Sequence, residues 1–526
     1  MMKGILPIVL LITCVLSAVD THLFVYPSLS RCFSLEIGTV VMAFLFLVRS
    51  VMQRPTLIMT KMDGFILSWL VFVVLHGLLV PLCEQYRTVY LCLSLLLAIL
   101  LAYMQRDGVL SRRYIESVLL FVACIHLVFI IGQFMGIIES GSQYFRVTGC
   151  NENPTVVALF LVGCLPMMAT RIVTSKKRIV YVFIFVVTIW GVILLRCRTA
   201  YIGMCCEAVI FFVMHYRAKL RSIFARPVFA GMIGLILLSV VVVGSRELYN
   251  MKRDSADGRW LIWKLSTEMI VEKPLGYGYG LFEKFYNLKQ ADYFASGVST
   301  AMEKRNANFV FVPYNDYMEH GVEGGVIGML FLVVFYMVMI KSALRMDSKE
   351  DVAVFCSFAV MSLFNFVYTS ILPWLLLMCY ASFNISGNSS LFCRPLPKVA
   401  QAIVFAALCL VSLRVWNMAE SQIVLKRLSS QPPVVSDMEY AKIESKIGTS
   451  EAYWTKRAIN SINANRFPDA LTSLREARAY SSQPAILVAE QYCLMRMGRV
   501  EEGMKCRDTL LYMAPQKFGS IRKKME

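Results

Sequence analysis

Charge is scarce in this chain: Asp, Glu, Lys and Arg make up 17% of the 526 residues. Soluble domains carry about 25%, so a single water-soluble globule is excluded. The sixteen cysteines include no Cys-x-x-Cys pair, and most lie in apolar runs, for example Cys14, Cys124, Cys164, Cys205, Cys206, Cys356 and Cys409. That pattern fits small apolar packing residues better than redox pairs. Cys32, Cys83, Cys150 and Cys197 fall near the outer face assigned below and leave a disulfide open, without a pairing. Five scattered histidines show no metal-ligand spacing, so neither a metal site nor a cofactor is expected. No basic stretch is interleaved with aromatics, which argues against nucleic acid despite a net charge of +18. Nor do two halves repeat one another, as in transporters built on inverted repeats.

What is present is apolar length. Hydrophobic residues reach 57% and collect in blocks long enough to cross a bilayer core of about 30 Å. Thirteen spans are expected, at 4–19, 35–48, 64–82, 88–104, 115–138, 154–170, 178–195, 199–215, 228–244, 321–340, 352–368, 370–384 and 399–416. Thr369, Ser370 and Pro373 split 352–384 by a turn, although the run also reads as one segment. The first span doubles as a signal-peptide pattern, with Lys3 ahead of the apolar run and Ser17 and Ala18 at its end.

With the N-terminus inside, the short inner loops hold 20 Lys and Arg and the short outer loops 5. Basic residues collect on the cytoplasmic side, and the alternation holds at every turn. The loop 245–320 and everything beyond 416 then lie outside. Residues 1–416 form the membrane domain, 417–437 a linker, and 438–526 a polar segment of helical pattern. Within it, 452–464 with 468–480 and 485–497 with 501–513 read as helix pairs, and 438–450 adds a further helix. Asn465-Arg466-Phe467 returns as Gly498-Arg499-Val500 after 33 residues, close to the tetratricopeptide period. Such a segment either docks an external partner or caps the membrane domain.

Arg196 and Arg198 share one tight outer turn. Arginine at a boundary can snorkel to water, and its planar fork also suits phosphate oxygens. The loop 245–320 holds ten basic and ten acidic residues, so it is not a basic patch. Gly258-Arg259-Trp260 opens a helix running to Val271, and Pro274-Leu275-Gly276-Tyr277-Gly278-Tyr279-Gly280 forms a turn. Aromatic faces of this kind suit sugar rings or a membrane interface. The loop closes on Tyr314, Asn315, Asp316, Glu319, His320 and Glu323. Asp316 and His320 are four apart, as are Glu319 and Glu323, so each pair shares a helix face. Ionisable groups entering a membrane boundary are functional candidates; the alternative is a solvated helix start.

An arginine opening a span, Gly-Arg-Trp, the glycine-rich turn, Asn-Asp-Tyr-x-Glu and Glu-Gly-Gly-x-Ile-Gly follow one another here. In that order they resemble the superfamily of O-antigen ligases, O-antigen polymerases and protein O-oligosaccharyltransferases. The likeness covers roughly 150–384, and the span count extends it to about 416. It implies an all-α, polytopic inner-membrane helical bundle of about 12–13 transmembrane helices, in line with the span count. The N-terminus would be cytoplasmic. The large loop and the tetratricopeptide-like C-terminal segment would be periplasmic. It also implies a metal-independent glycosyltransferase. An acceptor hydroxyl attacks the anomeric carbon of a glycan on undecaprenyl diphosphate, and the lipid diphosphate leaves. The acceptor would be the lipid A core or an exported protein. Arg198 and Arg259 match the family's arginines and, with Arg196, would meet the diphosphate charge. Asn315, Trp260, Tyr277 and Glu319 would contact acceptor or sugar.

One position departs from the family pattern. The ligases carry histidine before the asparagine; this chain has Tyr314, while Asn315, Gly325 and Gly328 keep the spacing. A phenol with pKa about 10 is a poor base at neutral pH, though it can orient a hydroxyl. Asp316 and His320 are the local substitutes, with Glu319 behind them. Ligase-like transfer leads the expectations, beside polymerase and protein O-oligosaccharyltransferase. A polysaccharide or lipid transporter is the reading from another class.

Overall fold

The computed structural model describes residues 2–53, 56–80, 85–217, 253–388, 392–395, 398–430 and 434–515. The membrane helices are α1 (Met2–Ala18), α2 (Pro27–Gln53), α3 (Lys61–Leu79), α4 (Gln85–Arg106), α5 (Arg112–Met135), α6 (Pro154–Thr174), α7 (Arg178–Leu194) and α8 (Arg198–His215). Then come α9 (Arg253–Glu272), α10 (Phe282–Ala295) and α11 (Ala301–Asn306), followed by the long α12 (Asp316–Arg345), α13 (Lys349–Phe364), α14 (Ile371–Gly387) and α15 (Lys398–Ser429). Among the described residues eight helices are long and apolar enough to cross a membrane, and α1, α7 and α14 are shorter apolar helices. The protein is an all-α polytopic membrane protein. The expected span at 228–244 lies outside the described residues, as does Cys83. Cys32, Cys150 and Cys197 are free thiols.

The centre of the bundle is α6 and α14. Every residue from Val156 to Met168 and from Leu372 to Ile385 is buried. A helix apolar on all sides has no face to show water and belongs inside a bundle. The turn at 365–370 separates α13 from α14, so 352–384 is two helices.

Polar ties sort the turns into two ends. At one end, Arg106 donates to Ile58 O (2.9 Å), Asp63 (3.1 Å) and Ile385 O (2.5 Å). It thereby binds α3, α4 and α14 to the antiparallel pair β1 (Thr56–Met59) and β2 (Phe392–Pro395). Arg112 forks onto Asp351 there (2.7 and 3.1 Å). At the other end, Arg31 forks onto Glu152 (2.9 and 3.1 Å), and His76 meets Leu275 O at 2.8 Å. This second end carries α9–α11 and the C-terminal helices.

Those helices are α16 (Asp437–Ile447), α17 (Glu451–Asn463), α18 (Phe467–Arg478), α19 (Pro484–Arg496) and α20 (Val500–Met513). The repeated tripeptides sit at the two hairpin turns. Asn465 (φ 57°) and Gly498 (φ 74°) both take the left-handed conformation there, which asparagine and glycine tolerate best. Within the expected linker at 417–437, α15 runs on to Ser429. It does so because Met418, Ala419, Leu425 and Leu428 keep a buried face on that stretch. The segment is not a loose arm, since it docks on α10. Ser481 Oγ and Ser482 Oγ each donate to Glu283 at 2.7 Å, and Lys284 Nζ donates to Ala479 O at 2.8 Å. Ala291 packs with Leu487, Leu510 and Met513.

Candidate functional site

Asn315 caps α12, its side-chain oxygen accepting from Met318 N at 3.1 Å, as Asn commonly does at a helix start. Just before it, Tyr314 holds φ at 53°. A left-handed backbone is uncommon for a bulky residue and marks strain held by its surroundings. The ring stands 37% exposed, edge-on to Phe366 at 5.8 Å. The Arg259 guanidinium lies over it, 5.1 Å from the ring centroid.

Arg259 projects from α9 and donates to Phe364 O at 3.2 Å. Trp263, one turn on, donates to Pro313 O at 3.3 Å, which fixes α9 against the irregular segment leading into α12. Burial pushes the Arg259 pKa below its ordinary value; the Tyr314 phenol opposes this, and the nearby Arg198 charge adds to it. Arg198 opens α8 and is exposed, and exposed Arg196 precedes it with φ 52°. Among the described residues none of these three arginines has a carboxylate partner. Like charges that bear on one another without an acid favour an anion nearby.

The expected bases sit elsewhere. Asp316 is 1% exposed and accepts from Ser362 Oγ (2.6 Å), Val367 N (3.1 Å) and Tyr368 N (3.3 Å). It shapes the α13–α14 turn, which carries Phe366 to Tyr314. His320 is fully buried among the rings of Trp69, Tyr279 and Tyr368. Glu319 is 3% exposed. None of the three opens onto the exposed face of Tyr314. Trp260 stands 70% exposed beside Arg259. Tyr277 packs between Phe285 (4.8 Å) and the Lys273 ammonium (4.9 Å). The structure thus joins Arg259 and Tyr314, with the Arg198 charge bearing on Arg259 and with Arg196 and Trp260 near them in sequence, and puts the carboxylates and the imidazole behind.

Two supporting contacts escaped the sequence, although Glu323 itself stood among the ionisable candidates. Glu323 accepts from Gly280 N at 3.0 Å and Phe282 N at 3.4 Å, clipping the glycine-rich turn to α12. There α12 breaks at Gly325 (φ 69°, ψ −170°), and Tyr277 N, Gly278 N and Val326 N bond across the break to Val322 O, Glu323 O and Pro274 O. A Cβ on Gly325 would stand 2.2 Å from Pro274 O. The paired glycine runs, one in each segment, were the available signal. The second support is the Phe364 carbonyl, which no side-chain pattern announces.

Residues 183–333 match the profile of a family described as O-Antigen ligase. The resemblance to that superfamily is thereby shown for this stretch, which contains Arg196, Arg198, Arg259 and Tyr314. It supports a glycosyl-transfer role of the ligase or polymerase type. No curated protein matches the chain.

Proposed function

We propose, taking residues 183–333 as an O-antigen ligase-type domain, that the protein moves a glycan from undecaprenyl diphosphate to an acceptor hydroxyl on the periplasmic face of the inner membrane. The leading form is ligation to the lipid A core. The observation that carries this is Arg259 over Tyr314 with the Arg198 charge bearing on it, both arginines without acidic partners among the described residues.

In the reaction the acceptor oxygen forms a bond to the anomeric carbon as the bond to the diphosphate oxygen breaks. The acceptor proton is released, and negative charge builds on the departing lipid diphosphate. Fixed guanidinium groups stabilise charge that develops in the transition state, and one such donor is worth about 10²–10³ in rate. Tyr314 holds the Arg259 plane from one side and offers its hydroxyl to orient the acceptor. Trp260, exposed on the same helix, offers a face to a sugar ring.

Deleting the gene in its host and running the lipopolysaccharide on a gel tests the assignment. Bare core with accumulated lipid-linked polymer identifies a ligase. Core carrying a single repeat identifies a polymerase. An unchanged ladder rejects both and moves the assignment to glycosylation of exported proteins or to another surface glycan.

A further inference from the structure

At the end of the bundle away from α9–α11, helices α5, α6 and α8 and the α12–α13 turn enclose a cavity of about 1020 Å³. Three acidic side chains line it, and each is already engaged. Glu116 accepts from Arg112 and from Arg171, both at 2.7 Å. Glu350 pairs with Arg112 at 3.0 Å, and Asp347 with Arg217 at 2.9 Å. Two lining cations, Arg113 and Lys349, are left without a carboxylate partner among the described residues. The remaining wall mixes polar side chains, Thr170, Thr174, His215, Tyr216 and Ser348, with exposed apolar ones: Val173 is 85% and Phe212 56% exposed. Unpaired cations therefore stand beside exposed apolar side chains at one set of helix ends.

That juxtaposition suits an amphiphile. We propose that the cavity binds an anionic glycerophospholipid, its phosphate against Arg113 and Lys349 and its acyl chains along Val173 and Phe212. Basic pockets between transmembrane helices hold anionic headgroups in this way, and arginine forks match phosphate oxygens. Because Arg112 and Arg171 are neutralised by buried acids, they form the floor and the two unpaired cations select the ligand. The site is independent of the glycosyl-transfer assignment, lying at the other end of the bundle.

The test uses full-length protein purified in mild detergent and native mass spectrometry of retained lipid. Phosphatidylglycerol and phosphatidylcholine are offered at equal concentration. Selective retention of a single phosphatidylglycerol is expected. The double variant Arg113→Gln, Lys349→Gln should weaken that retention by roughly tenfold or more. If the double variant aggregates, Arg113→Gln alone carries the test, because that side chain is exposed. Equal retention of both lipids, or unchanged retention in the variant, overturns the proposal. Displacement of phosphatidylglycerol by sn-glycerol 3-phosphate at comparable concentration also overturns it and reassigns the cavity to a soluble phosphate compound.

Discussion

At the end of the bundle closed by β1 and β2, Arg106, Arg112, Arg171 and Arg217 each meet a carboxylate within 3.1 Å. At the loop end, Arg198 and Arg259 meet none among the described residues, and Arg259 rests on a phenol ring and a carbonyl. Paired charges fix which helices neighbour which. Unpaired ones cost stability and leave a field for something else to complete. The same residue type therefore serves architecture in these paired arginines and, on the proposed function, chemistry in Arg198 and Arg259.

The comparison can be broken most forcefully at Arg106. Its partner Asp63 is fully buried, so Arg106→Ala strands a carboxylate and should cost about 3–5 kcal/mol. Chemical denaturation of the purified protein would report that loss; a change below about 1 kcal/mol would reduce Arg106 to an ornament. Next come Arg259→Ala and Arg198→Ala. Each should lower transfer by about 10²–10³ with the thermal midpoint unchanged, while Tyr314→Phe, which keeps the ring beneath Arg259, loses less. Full activity in Arg198→Ala would sink the mechanism.

A smaller effect is expected at the break in α12. Gly325→Ala must abandon a positive φ and a 2.2 Å approach to Pro274 O. The strain is worth about 1–3 kcal/mol and should appear as faster proteolysis within 273–281. Unchanged cleavage would show the clip to be slack.

The smallest effect concerns Glu283. Burial pushes its carboxyl above the usual value, against the pull of the Ser481 and Ser482 donors. With the folded value raised, its contribution is fully present below the unfolded value of about 4.3. That contribution fades as pH rises through the folded value. The thermal midpoint should therefore carry a shallow downward slope between the unfolded and the folded value, flattened in Glu283→Gln. An equal slope in the variant would assign the pH dependence to another group.

Apolar length alone placed most of the described membrane helices, because each needs about twenty residues to cross. The turn at 365–370 was legible too, through Thr369, Ser370 and Pro373. Rotation was not. The burial of α14 on every side leaves no polar stripe from which to read its phase. The same limit affected the site. Asp316 and His320 share a helix face, but nothing local reveals whether that face meets the turn at 367–368 or open space. The structure turns it inward, against Tyr368. Arg259 over Tyr314 joins residues 55 positions apart by number, and only the family motif hinted at their meeting. The pairing of β1 with β2 spans still more chain and has no sequence signature beyond two short segments.

The contact between α10 and the final hairpin has a consequence for how the molecule is made. Glu283 finds its donors at Ser481 and Ser482, 198 and 199 residues later, and Gln290 bonds to Met513 O. A ribosome delivers these partners only after α12–α15 have been synthesised, and closing so long a loop is entropically slow. The exposed loop must wait, half-covered, until the last helices arrive. Birth order thus makes α18–α20 the late cover of α10.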